Sequence, residues 1–217
     1  MKKIATKKKS VEAITIAAPN FQQMEIKIIG TAPLVQHRFS QKIVRQMLEA
    51  HVAGDANKNK SKKKVSRDIQ QDYKDATHLG DDGHYGIPAS AFRSAMISAC
   101  RVAGFQMTKA RLSVFVEADT LDNEDGQPLV HLEGEPILHK SAVRLANGVA
   151  SVAIRPMFKE WSAVVRAKWD GDQFTSTDVV HLMMRAGLQV GIGEGRPDSK
   201  KSNGMGWGTF RVATEGE

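Results

Sequence analysis

The period of the apolar positions changes along the chain, and each change marks an element. In "MEIKIIGTAPLV" Ile26 and Ile28 alternate with Lys27 until Gly30 and Pro33 break the run, which predicts a strand. "SQKIVRQMLEAHV" places Ile43, Met47, Leu48 and His51 at helical spacing behind Ser40, a residue type that caps helices. "GDANKNKSKKKVSRD" has nothing to bury and repels itself, so a mobile insertion is expected around 54–67. "IPASAFRSAMISACRVAG" predicts a helix from Pro88 to Gly104, with Phe92, Ala95, Met96, Ala99 and Cys100 as its apolar stripe.

Further on, "ARLSVFVEAD" reads as a strand with Leu112, Val114 and Val116 on one face. The acidic turn "DNEDGQ" leads to a short strand in "PLVHLEG". "GVASVAIRPMF" and "EWSAVVRAKWD" read as two strands of a hairpin, the second presenting Trp161, Val165 and Trp169 on one side and Val164, Arg166 and Lys168 on the other. "TSTDVVHLMMRAG" opens with a capping-box pair, Thr175 and Asp178, and predicts a helix ending at Gly187. A glycine-rich segment and a closing strand, "WGTFRVA", follow. Without the insertion and the early helix, the order predicts an α+β fold. Its ferredoxin-like or RRM-like antiparallel sheet would carry helices on one face, with the glycine-rich loop before the last strand.

Composition narrows the class. A chain of 217 residues with 41% apolar and 25% charged residues is that of a globular protein. We expect a flexible basic tail over 1–20 and a single domain over 21–214. No run approaches the roughly 18 apolar residues that cross a bilayer, and "MKKIATKKKS" lacks the apolar stretch of a secretion signal. A cytoplasmic protein with no membrane partner is therefore expected, and Cys100, the single cysteine, is expected in the core.

The net charge of +7 is concentrated. Lys2, Lys3, Lys7, Lys8 and Lys9 supply +5 and Lys58, Lys60, Lys62, Lys63, Lys64 and Arg67 supply +6, leaving the rest of the chain at −4. Basic segments of this kind grip phosphates by attraction and counterion release, which marks Lys62, Lys63 and Lys64 as candidate contacts to nucleic acid.

The segment "VGIGEGRPDSKKSNGMGWGTF" is the most informative stretch. It is not a dinucleotide fingerprint, because Arg196 stands in the place of the third glycine and the segment follows a helix instead of a strand. Nor is it a Walker A loop, because Lys200 replaces the second glycine and the direction is helix to strand. Its glycines instead let main chain approach a polynucleotide backbone, Arg196, Lys200 and Lys201 add charge, and Trp207 offers a stacking surface.

A glycine-rich loop between the second helix and last strand of a ferredoxin-like domain resembles the signature of the RAMP superfamily, the RRM-like proteins that build CRISPR effector backbones and process CRISPR RNA. Gly191, Gly193, Gly195, Gly204, Gly206 and Gly208, with Lys200 and Lys201, carry the resemblance. "IGTAPLVQHRFS", "AVRLANGVASVAIRPMF" and "VGIGEGRP" are also similar to bacteriophage proteins. The resemblance implies a non-catalytic protein of single-stranded nucleic acid, RNA ahead of DNA, that self-associates into a filament or ring. It also leaves a role as a mimic that docks on a host CRISPR or defence protein. In the RNA-processing branch a histidine near the first helix acts as general base, so His37, with Arg38 as its cation, is the catalytic alternative.

Arg155, Arg166 and Lys168 lie on or beside the predicted hairpin and would line a backbone-tracking groove. The histidines show no paired metal spacing. His78 and His84 share a loop with Asp81 and Asp82, which reads as a turn, and neither metal nor cofactor is expected.

Overall fold

The computed structural model describes residues 17–53, 68–144, 148–199, 204–214 and 216–217. Residues 1–16 of the expected tail and the expected insertion, with Lys62, Lys63 and Lys64, lie outside the described residues, as do Lys200 and Lys201. The chain runs β1 (Phe21–Gly30), β2 (Leu34–Val35), α1 (Gln41–Ala53), α2 (Ile69–Asp75) and β3 (Gly86–Pro88). It continues through α3 (Ala89–Ala103), α4 (Met107–Ser113), β4 (Val114–Glu117), β5 (Thr120–Leu121), β6 (Pro128–His131), β7 (Pro136–Arg144) and β8 (Ala150–Phe158). Last come β9 (Ser162–Asp170), α5 (Ser176–Arg185), a π-helical turn over Ala186–Val190 and β10 (Phe210–Val212). The fold is mixed α+β with antiparallel sheets.

The largest sheet has the strand order β10-β1-β9-β4, with Ile26 opposite Val165 and Ile28 opposite Ala163. Alternation sends Ile26, Ile28, Val165, Ala167 and Trp169 to one face, where they are buried against Phe92, Met96 and Cys100 of α3 and Val179, Leu182 and Met183 of α5. Fully burying a side chain such as Phe92 contributes about 1.5–3 kcal/mol, so this face, and not helix propensity, holds α3 and α5 in place. The other face carries exposed Phe21, Gln23, Glu25 and Lys27. Two smaller sheets, β2-β8-β7 and β3-β6-β5, complete the fold.

Several predicted elements hold. α3 begins behind Pro88 and ends at Gly104, which takes φ +72°. Thr175 and Asp178 form the predicted capping box, and Cys100 is buried. Trp161, Val165 and Trp169 face inward, as their alternation predicts.

Three expectations are corrected. The segment 110–119 is not one strand: residues up to Ser113 belong to α4, and Leu112 is exposed. Ala110 and Ser113 are buried at helical spacing. The Arg93 guanidinium donates to the carbonyls of both Arg111 and Val114 and so fixes the junction between helix and strand.

The strands 150–158 and 162–170 do not form a hairpin. β8 pairs with β7, an element absent from the sequence reading, while β9 pairs with β1 and β4 in the other sheet. Trp161 makes the crossing, because its ring is buried and its Nε1–H donates to the Ala32 carbonyl at 2.8 Å.

Gly187 does not stop the last helix, which passes through it into the π-helical turn. A Cβ there would overlap the Phe210 carbonyl, so this glycine serves packing against β10. In α1, Met47 and Leu48 stay exposed although their spacing is helical.

The glycine-rich segment folds back on itself. Ile192 N–H donates to the Gly208 carbonyl at 3.0 Å, and Gly208 N–H donates to Pro33 at 2.7 Å. Gly208 has φ +66°, and a Cβ on it would collide with the Ile192 carbonyl. Gly208→Ala should therefore cost on the order of 2–4 kcal/mol of stability. Gly206→Ala, at φ +74° but facing open space, should cost only about 1 kcal/mol. Urea denaturation of the two variants checks the contrast.

Candidate functional site

A cleft of about 600 Å³ opens where the glycine-rich segment, β8, the chain after β2 and the start of α3 meet. That volume lies within the roughly 300–1,000 Å³ of small-ligand sites. Each wall has a local cause. Gln36 N–H donates to Pro156 at 3.1 Å, which extends the pairing of β2 with β8 and sets His37 beside Arg155. Glu194 N–H donates to Val35 at 2.9 Å and brings the glycine-rich segment against the same two residues. Arg196 also lines the cleft and returns one N–H to the Gly193 carbonyl at 3.0 Å.

The start of α3 closes the cleft, with Ser90 and Ala91 of its first turn in the lining. Pro88 precedes the helix and gives no side-chain cap. The first turn of a 15-residue helix, where backbone N–H groups lack intrahelical partners and the dipole is positive, thus borders the cleft without a side-chain cap.

Charge in the cleft is mixed. Arg155 Nε lies 2.7 Å from Glu194 Oε2, and His37 Nδ1 lies 3.6 Å from the same oxygen and 3.3 Å from Arg155 Nη2. Burial, then the Arg155 guanidinium, lowers the His37 imidazole from its ordinary value, against the opposing pull of Glu194. His37 is therefore neutral at pH 7, and the two arginines outweigh the single carboxylate.

Below the cleft is a buried polar network. Arg38 Nη1 donates to Asp122 Oδ1 at 2.8 Å, and His78 Nδ1 lies 2.8 Å from Asp122 Oδ2. Arg38 also donates to the Asp75 carbonyl at 2.9 Å and pairs with Glu124 at 3.2 Å. Gln36 bridges inward, giving its Nε2–H to Gly86 and accepting from the His78 N–H. Burial works to raise the Asp122 carboxyl, but the Glu124 N–H, His78 and Arg38 together hold it below its ordinary value. Burial lowers the His78 imidazole despite the carboxylate beside it.

The fold brings His37, Arg155, Gly193 and Arg196 into one place. Arg38 is not brought there; its side chain is buried in the network beneath, so it is no cation for a reacting phosphate. Arg166 and Lys168 lie on the opposite, open face of the large sheet. Arg166 is bound by Asp119 at 2.7 Å and stands opposite Glu25 and Glu117, while Lys168 Nζ sits 5.3 Å from the centre of the Phe21 ring.

Trp207 rests on Gly195, where a Cβ would enter its ring, and meets His139 edge-on at 5.5 Å. Gly193 admits the Val35 carbonyl in the same manner. Gly204 and Gly206 remain open to approach. Glu194, Asp122 and Ser90 are not among the residues singled out from the sequence, and His78 is read there only as part of a turn. Of the first three, only Ser90 left a trace there, as the polar residue two places after Pro88 at a helix start.

The lowered imidazoles make stability depend on pH. His78 and His37 take up protons in the unfolded chain below about 6.5 but not yet in the folded one, so stability is full above that pH and declines as pH falls. Asp122 adds a second loss below its ordinary 3.8, as the pH falls through its lowered value. His78→Gln should shrink the first loss, read as urea midpoints between neutral and mildly acidic pH. Asp122→Asn removes the buried carboxylate partner of Arg38, leaves only the more exposed Glu124, and should cost up to about 3–5 kcal/mol at pH 7. A scan of the sequence against protein-family models finds no match, and a search of curated proteins finds none either.

Proposed function

We propose that this chain is a non-catalytic, single-stranded nucleic-acid-binding protein on a ferredoxin-like core of the RAMP kind, and that the cleft holds a backbone phosphate. The observation that carries the reading is the convergence of Arg155, Arg196 and the uncapped first turn of α3 on one cleft. Two guanidiniums and a helix N-terminus together favour an oxyanion over any neutral ligand. The strand order β10-β1-β9-β4, with α3 and α5 on one face and the glycine-rich segment running from α5 to β10, supports the core assignment. Lys200 and Lys201 follow Ser199, a residue of the cleft lining, directly in sequence and add two positive charges to this stretch of the chain. The sheet edges β10 and β4 supply surfaces for self-association along a strand.

Glu194 tunes the site. It pairs with Arg155 at 2.7 Å, so a phosphate on Arg155 would compete with it. Fluorescence anisotropy with labelled oligouridine and oligothymidine should show binding that weakens steeply with salt. Arg196→Ala should weaken it about tenfold and lower the salt slope by about one. Glu194→Gln should strengthen it several-fold. Absence of binding at low ionic strength would sink the proposal.

One observation favours an endoribonuclease as a second reading. His78 lines the cleft floor and gives Nδ1 to the buried Asp122, which leaves Nε2 the ring nitrogen without a partner among the described residues. A neutral imidazole oriented by a carboxylate is equipped to act as general base. RNA cleaved in EDTA by the parent and by His37→Ala, but not by His78→Ala, would move the reading to catalysis. RNA left intact by the parent would remove it.

A further inference from the structure

A second constellation lies outside the cleft, on the turn before β3 and the end of β6. The turn Gly80–His84 is closed by Gly83 N–H donating to Gly80 and by Gly80 N–H donating to His84, each at 2.9 Å. Within it, Asp82 Oδ1 accepts the His84 N–H at 3.1 Å, which aims the carboxylate. The pairing of Gly86 with His131 then carries the His131 side chain alongside the turn. His131 is held from behind, where its own N–H donates to Asp119 at 2.7 Å.

The outcome is two imidazoles and a carboxylate gathered across 49 positions of the chain. The rings of His84 and His131 are 4.9 Å apart with a 34° tilt. His131 Nε2 lies 2.7 Å from Asp82 Oδ2, and His84 Nδ1 lies 3.5 Å from Asp82 Oδ1. One donor atom from each of the three falls within 4.8 Å of the others.

We propose that Asp82, His84 and His131 bind one zinc ion, with a fourth position open to water. Nitrogen and carboxylate donors in this ratio suit Zn²⁺ and its transition-metal neighbours, whereas Mg²⁺ and Ca²⁺ take all-oxygen sets. With bonds of about 2 Å in tetrahedral arrangement, ligand atoms stand about 3.3 Å apart. The His131–Asp82 contact is already shorter than that, and the His84 side chain, 68% exposed, is free to swing inward. An ion would take the place of the direct Asp82–His131 contact and tie the turn to the end of β6. None of the three residues lines the cleft, so the proposal stands independently of the phosphate reading.

The test uses the full chain, stripped with chelator and dialysed. Titration with ZnCl₂ in a calorimeter should give one equivalent of saturable binding, and CoCl₂ should develop the visible absorption of a four-coordinate site. His84→Ala and His131→Ala should each weaken binding at least about tenfold, while His181→Ala, on α5, should bind like the parent. His84 is exposed, so its variant keeps the fold; circular dichroism verifies this. ZnCl₂ should also raise the melting temperature of the parent and not of His84→Ala. No saturable heat in the parent, or binding unchanged in both histidine variants, would overturn the proposal.

Discussion

Ile192 and Gly208 sit closer than any side chain would permit, and the cleft takes its shape from that approach. The Ile192 N–H reaches the Gly208 carbonyl while Gly208 donates in turn to Pro33, so the two arms of the glycine-rich segment are laced to each other and to the start of β2. From this lacing follow the placement of Glu194 against Val35, of Trp207 on Gly195, and of β10 at the sheet edge beside β1. A segment rich in glycine loses much entropy on ordering. Here main-chain hydrogen bonds and a buried Ile192 and Phe210 offset that loss, and Arg196 is held at the cleft wall.

The network beneath works by a different principle. Arg38, Asp122 and His78 are buried charges and polar groups that would be costly alone, and each is satisfied by the others and by backbone carbonyls. Because Arg38 follows β2, His78 precedes β3 and Asp122 precedes β6, the network ties three otherwise separate connections to one point. It thereby orients the loop that carries His37. Residues 37 and 38 are adjacent in sequence yet have unlike roles, one facing the cleft and the other supporting it from within.

Electrostatics divides the molecule into surfaces with different capacities. On the open sheet face Arg166 is neutralised by Asp119 and Lys168 lies over an aromatic ring, so that face is less cationic than its sequence implies. In the cleft, Arg155 pairs with Glu194 while Arg196 donates to the Gly193 carbonyl, both beside the start of α3. The Asp82–His84–His131 cluster offers carboxylate and imidazole lone pairs, the complement of what the cleft offers.

The sequence by itself determined the elements whose signals are local: the alternation of Ile26 and Ile28, the stripe on α3, the Thr175–Asp178 capping box and the buried Cys100. It also singled out the glycine-rich segment and placed His37, Arg155, Gly193 and Arg196 among its candidates. Only the tertiary structure decided which strands pair, because period-2 alternation is the same whether 150–158 meets 162–170 or 136–144. Tertiary packing also decided that Leu112 belongs to a helix, since Arg93 reaches in from another element to cap that junction. It separated Arg38 from His37 and joined His78 to Asp122 across 44 residues. Spacing along the chain cannot encode such contacts, because they depend on which faces the core has already buried.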